Sequence, residues 1–183
     1  MTECAPSPRS FKSHLPLSLL PSNLLATTKT VYLARNPKDV VLSYLHHSRI
    51  FRNHAYVGTL EQFVQYFLDG DLLYGPYWLH LKEAWEQKDN PNLLFMFYED
   101  LKQNTVLELK RLNDFLGTKL TQEQLESVAH YTSFPEMKAR DGLVGEGAED
   151  IFNGDIVKKD GGFFRKGSVH RYLGVYMINS SSD

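Results

Sequence analysis

An α/β fold, with a partial parallel sheet flanked by helices, is what this 183-residue sequence predicts, and three observations carry the prediction. Two short runs, TVYLA (Thr30–Ala34) and NLLFMFY (Asn92–Tyr98), are rich in β-branched or aromatic residues and nearly continuous in apolar character. Such runs suit strands covered on both faces. Stretches with helical spacing and cap signals separate and follow them, which is the strand–helix order of α/β domains. The bulk composition, 42% hydrophobic with 23% charged residues, is that of one globular domain with a real core.

Taken in order, the first apolar segment is HLPLSLLPSNLLA (His14–Ala26). Pro16 and Pro21 interrupt it and no basic cluster precedes it, so a signal peptide is not the favoured reading. TVYLA follows as a strand. Asn36 is a good N-cap, Pro37 suits the first helical position and Asp39 can serve the N3 position, so a helix starts directly after Arg35. Thr59-Leu-Glu-Gln62 is a capping box, with Leu60, Phe63, Val64, Phe67 and Leu68 behind it and Gly70 as the stop. In Gly75–Asp89 an apolar stripe of Tyr77, Trp78, Leu81, Ala84 and Trp85 follows Pro76. NLLFMFY is the second strand. Right-handed crossovers would put the C-terminal strand ends, near Arg35 and Tyr98, on one edge, where open α/β sheets bind ligands. Thr105-Val-Leu-Glu108 reads as another capping box, ahead of Leu109, Leu112, Leu116 and the stop Gly117. A further helix starts at Thr121-Gln-Glu-Gln124 and buries Leu125, Val128 and Ala129. Asp141–Gly162 is glycine-rich, mixed in charge and without a period, and reads as a long loop.

A formal net charge of −2 gives no reason to expect nucleic acid or an anionic membrane as partner. No apolar run approaches the ~20 residues of a membrane span. Cys4 is the only cysteine, which excludes a disulfide framework and fits a reducing, cytoplasmic setting. His46, His47, His54, His80, His130 and His170 show no metal-ligand spacing and read as ordinary.

Three places could carry chemistry. Arg35 at a strand end and Ser43 two turns into the following helix could clamp a phosphate, the guanidinium forking onto oxygens and the hydroxyl donating from the side. Spacing alone favours a plainer arrangement, an arginine paired with a nearby carboxylate and a solvent-facing serine. FRKG (Phe164–Gly167) offers Arg165, Lys166 and a turn-permitting Gly167 as an anion nest, or simply a solvated basic pair. In SPRSFKSHLP, Lys12 and His14 share one face of an extended strand. Histidine there could act as general base while lysine steadies developing negative charge; a surface histidine is the plainer alternative.

Seven segments in register then tie these places together: KSHLPLSLLP, VYLARNPKDVVLSY, YGPYWLHLKEAWE, LLFMFYEDLK, FLGTKLTQEQ, HYTSFPEMK and GGFFRKG. From about Ser7 to Gly167 the chain resembles the cytosolic sulfotransferases, with phrasing nearest their arthropod branch. The resemblance implies a P-loop-NTPase-like sulfotransferase fold and transfer of a sulfuryl group from 3′-phosphoadenosine 5′-phosphosulfate to a hydroxyl or amine. It implies no metal, a small-molecule acceptor (phenol, steroid, alcohol or amine), and no nucleic-acid or membrane partner. Arg35 and Ser43 would hold the 3′-phosphate, with Arg165, Lys166 and Gly167 closing over it. Tyr98, Thr132, Phe134 and Met137 would contact the adenine. His14 would be the base, with Lys12 near the transferred group; Ser13 stands where the family more often has threonine.

Two departures qualify the match. No TYPKSGTTW-like phosphosulfate loop occurs in the sequence, so the fold is expected to be N-terminally truncated and its activity weak or absent. After Gly167, His170, Arg171 and Tyr172 stand where Gly, Asp and Trp would be expected. Residues 1–167 are therefore expected to form a partial sulfotransferase domain and 168–183 a divergent tail, without the family's dimerisation motif. A non-catalytic nucleotide-binding remnant, or a splice or gene-model fragment, is the alternative.

Overall fold

The computed structural model describes residues 8–140, 150–159 and 164, and the backbone of 174–179. Its sheet is built from β1 (Arg9–Ser13), β2 (Lys29–Ala34), β3 (Leu93–Phe97) and β4 (Gly174–Asn179), in the order β1-β4-β2-β3. β2 and β3 pair in parallel from Thr30↔Leu93 to Ala34↔Phe97, as their continuous apolar character predicts. Burial differs between the two: Val31, Tyr32 and Ala34 are buried in β2, while Phe97 in β3 is 42% exposed.

β4 lies within the segment expected to be a divergent tail, and no strand was anticipated there. It runs antiparallel to both β1 and β2. Two antiparallel pairings in succession make β1 parallel in direction to β2 and β3. Val175 is opposite Ser13 on one side and Tyr32 on the other, so the C-terminal ends of β1, β2 and β3 reach the same edge.

The connections explain the core. α1 (Leu24–Thr27) is a single turn before β2, and α2 (Pro37–Ile50), α3 (Leu60–Asp69) and α4 (Tyr77–Glu86) fill the crossover from β2 to β3. Leu24, Tyr32, Ala34, Ala84 and Leu93 form one buried cluster between sheet and helices. Val40, Val41, Tyr44, Leu45, Phe63, Phe67 and Tyr77 form a second, where α2, α3 and α4 meet. Each valine, leucine or phenylalanine among them contributes about 1.5–3 kcal/mol when fully buried, so these clusters hold the crossover against the sheet. Gly70 ends α3 at φ +83°, and a Cβ there would meet Pro76 Cγ at 2.8 Å. The chain therefore turns into α4 only with glycine at this position.

After β3 come α5 (Tyr98–Gln103), α6 (Thr105–Leu116), α7 (Gln122–Tyr131) and α8 (Phe134–Ala139). The capping boxes at Thr59 and Thr121 form with both reciprocal bonds. The box expected at Thr105 does not. Asn104 is the cap, its side chain accepting from the Leu107 amide, while the Thr105 hydroxyl donates to the Leu101 carbonyl. Glu108 is turned inward, 5% exposed, against Arg111. Asparagine takes the cap because it precedes the threonine and offers an acceptor of equal quality. The glycine-rich stretch is also less loop-like than expected: α9 (Gly154–Lys159) lies within it, and Phe152 bridges to Phe51. No helix among the described residues is long and apolar enough to cross a membrane.

Candidate functional site

The common strand edge gathers the site. Because Ala34 is opposite Phe97, the next residues, Arg35 and Tyr98, are neighbours, and the Arg35 guanidinium sits 4.5 Å from the centre of the Tyr98 ring. Arg35 is only 2% exposed, which is rare for an arginine without an ionic or stacking role. Its carbonyl accepts from the Tyr77 hydroxyl. The following amide, of Asn36, donates to Glu99 Oε1 at 2.9 Å. Strand ends, α4 and α5 thus fix this corner from three directions.

The carboxylate partner that spacing alone suggested is Asp39, one turn into α2. Its Oδ2 lies 4.0 Å from Arg35 Nη2, beyond hydrogen-bond distance. Asn36 caps α2 by accepting from the Lys38 amide at 3.0 Å, with Pro37 behind it. Ser43 is not solvent-facing: it is 8% exposed, on the helical face of Asn36 and Val40. The buried Arg35 guanidinium, backed by the Tyr98 ring, offers donors suited to a phosphate, and the buried Ser43 hydroxyl lies two turns into α2.

His14 follows the last ladder residue of β1. It lines an apolar pocket of about 490 Å³, counting the space at its mouth, with Tyr44, Phe67, Tyr74, Tyr77 and His80 among the other walls. The His14 ring lies 5.1 Å from that of Tyr74. Tyr77 belongs both to this pocket and to the Arg35 corner, so the two regions share a wall. Lys12 is exposed two residues earlier on β1. Both Lys12 and His14 act on His47, whose pKa is lowered to about 3, first by burial and then by the charges of His54, His14, Lys12 and His46. Burial likewise raises Tyr77, to about 12, and Tyr44, to about 12. Both phenols of the pocket wall are therefore neutral at ordinary pH.

The remaining expected residues are placed less closely together. Thr132 is the C-cap of α7, its hydroxyl donating to the Val128 carbonyl at 2.7 Å. Phe134 and Met137, half-buried, belong to α8. α7 and α8 reach the sheet by way of α6 and α5. Arg165, Lys166 and Gly167 lie outside the described residues. No group of three or more metal-ligand side chains occurs among the described residues.

Sequence reasoning missed Tyr77, His80 and His47. Tyr77 and His80 were absorbed into an apolar stripe and a set of ordinary histidines. Their three-residue spacing, which turns both to one helix face, was the available signal.

Comparison with known proteins adds to this geometry. A family model described as a sulfotransferase domain matches residues 2–180. Sulfotransferase 1A1 from Rattus norvegicus is 44% identical over 137 residues, which is 74% of this chain and 47% of that protein. The Mus musculus enzyme of the same name is 45% identical over 134 residues, 73% of this chain and 46% of the relative. The chain thus spans about half the length of the curated relatives it matches. Among solved structures, retinol dehydratase in complex with androsterone and the inactive cofactor PAP superposes with a TM-score of 0.74 at 37% identity, over 84% of this chain and 44% of that one. Mouse sulfotransferase SULT7A1 complexed with PAP gives 0.66 at 36%, over 69% and 46%.

Proposed function

This chain belongs to the sulfotransferase family, and from that premise we propose that it carries the nucleotide-recognising and base-bearing part of an enzyme that moves a sulfuryl group from 3′-phosphoadenosine 5′-phosphosulfate to a small acceptor. One observation carries the reading. The ends of β1, β2 and β3 bring His14, Arg35 and Tyr98 to a single sheet edge, where His14 lines an apolar pocket whose Tyr77 wall bonds the Arg35 carbonyl.

In this reading Arg35 and Ser43 bind the 3′-phosphate, and Tyr98 gives the adenine a surface already stacked on the guanidinium. Thr132, Phe134 and Met137 complete the adenine side, and Arg165, Lys166 and Gly167 close over the phosphate. His14 takes the proton from the acceptor hydroxyl as the oxygen attacks sulfur in line. The sulfur–oxygen bond to the 5′-phosphate breaks, and adenosine 3′,5′-bisphosphate leaves with the bonding pair. Lys12 steadies the charge that develops there. Positioning and electrostatics do the work, as in phosphoryl transfer, and no metal is required.

The wall chemistry supports an apolar acceptor. Tyr44, Phe67, Leu72 and Tyr74 line the space that His14 faces, which suits an apolar alcohol or phenol with one hydroxyl at the histidine end. The androsterone and retinol bound by the retinol dehydratase structures have that form. Cytoplasmic placement, expected from cysteine usage and the resemblance, belongs to the same proposal.

A second reading fits the coverage, since the chain spans about half the length of the curated relatives. On that reading the chain is a nucleotide-binding portion that does not turn over alone, and Gly174–Asn179, within the sequence-divergent 168–183, serves the sheet as β4. Incubation with radiolabelled 3′-phosphoadenosine 5′-phosphosulfate and a phenol or steroid alcohol separates the two. Transfer that falls by ~10²–10⁴-fold in His14→Ala supports catalysis. Nucleotide binding without turnover supports the second reading, and transfer unchanged in His14→Ala removes the base from the mechanism.

A further inference from the structure

A polar chain runs through the core behind the base, and the transfer steps above do not use it. Tyr32 in β2 is 0% exposed and His80 in α4 is 5% exposed. The Tyr32 hydroxyl lies 2.9 Å from His80 Nδ1, and His80 Nε2 lies 3.2 Å from the backbone carbonyl oxygen of His14. A carbonyl can only accept, so Nε2 carries the proton and Nδ1 accepts from the tyrosine. The hydroxyl is also 3.3 Å from the carbonyl of His80 itself, a secondary acceptor on the same turn.

We infer that Tyr32 and His80 form a positioning relay that fixes the backbone of His14, and so sets where its imidazole can take a proton. The inference rests on the reading of His14 as base. The need for such a brace is geometric. The β1 ladder ends with Ser13 opposite Val175, so His14 stands one residue beyond it. A misplacement of ~1 Å can cost about 100-fold in rate. The relay ties the first residue after the strand to β2 and α4 at once, and the Tyr74 ring lies 5.1 Å from that of His14. The direction of the relay is stable against pH. Burial, the largest influence on each, lowers the pKa of His80 and raises that of Tyr32, so both remain neutral. Tyr77 and Glu83 also face Tyr32, and Glu83 also faces His80. Their effects on Tyr32 reinforce its neutrality; on His80 the backbone carbonyls of His14 and His80, and then Glu83, oppose burial, and burial prevails.

Nuclear magnetic resonance on the 183-residue chain tests the relay without requiring turnover. Long-range proton–nitrogen correlations should show His80 protonated at Nε2, bare at Nδ1 and unchanged from about pH 6 to 8. The opposite tautomer, or a His80 that titrates in that range, overturns the inference. Two variants then separate bracing from mere packing. In H80Q the amide nitrogen replaces the Nε2 donor, whereas in H80N the side chain ends near the Nδ1 position and falls short of His14. The His14 ring-proton shifts set by Tyr74 should persist in H80Q and relax toward free histidine in H80N, while Phe63 and Phe67 keep their native shifts. Equal His14 shifts in the two folded variants overturn the inference. If both variants fail to fold, Y32F removes only the hydroxyl: the His14 carbonyl still holds the proton at Nε2, so the tautomer persists, but the relay predicts that the His14 ring-proton shifts relax toward free histidine, and unchanged His14 shifts contradict it. Sulfuryl transfer retained in His14→Ala would remove the base assignment while leaving the tautomer result standing, so the two claims fail separately.

Discussion

At the scale of single residues, the proposed site concentrates on a buried cation, Arg35, and on His14 just beyond β1. Arg35 is stacked on Tyr98 and bonded through its carbonyl to Tyr77, so its side chain is aimed before any ligand arrives. A charge-assisted bond contributes about 1.5–3 kcal/mol. Arg35→Ala should therefore weaken adenosine 3′,5′-bisphosphate by about 10–100-fold, and Ser43→Ala by a smaller factor, as read by calorimetric titration. Equal losses would mean that the guanidinium carries no special share. His47 makes a different prediction. Its pKa falls from 6.5 to about 3 on folding, chiefly through burial, so between those values the unfolded chain binds the extra proton. Stability contributed by the neutral form is intact above pH 6.5 and is lost progressively as pH falls toward about 3. Thermal unfolding followed across that range should show Tm dropping with acidification, with a shallower slope in His47→Phe. At this scale the sequence was informative about charge and poor about burial. Arg35 and Ser43 could be named from spacing, yet only packing shows that Ser43 is covered and that Asp39 stands 4.0 Å off. His47 and His80 were unreadable because a histidine's role depends on what surrounds it, and that comes from distant segments.

At the scale of elements, local signals were legible where the chain itself satisfies them. Thr59 with Gln62, Thr121 with Gln124, and Asn36 before Pro37 all cap as their spacing requires, since a capping box needs only four consecutive residues. The Thr105 box failed because two good caps stood side by side, and the structure uses Asn104. Asn104→Ala should accordingly cost about 0.5–2 kcal/mol in denaturant unfolding, and Thr105→Ala clearly less; the reverse order would restore the original cap. The strand at Gly174–Asn179 was missed although VYMI has strand chemistry. Its place between β1 and β2 depends on long-range pairing, which no local window contains.

At the scale of the whole molecule, the fold matters because it turns three separated sequence segments into one edge. The order β1-β4-β2-β3 makes β1, β2 and β3 point the same way, and their ends carry His14, Arg35 and Tyr98. That convergence could be partly foreseen for Arg35 and Tyr98, whose strands were recognised, and for His14 came only with the resemblance. Thr132, Phe134 and Met137, proposed for the adenine side, are joined to this edge through α7, α6 and α5, an arrangement that short motifs alone do not specify. The central claim is that this edge recognises a 3′-phosphate on an adenosine nucleotide. Calorimetric titration of the 183-residue chain with adenosine 3′,5′-bisphosphate and with adenosine 5′-monophosphate tests it most directly. The account predicts that the bisphosphate binds at least ~10-fold more tightly and that Arg35→Ala erases the difference. Equal affinity for the two nucleotides, or no binding of either by the folded chain, would contradict it.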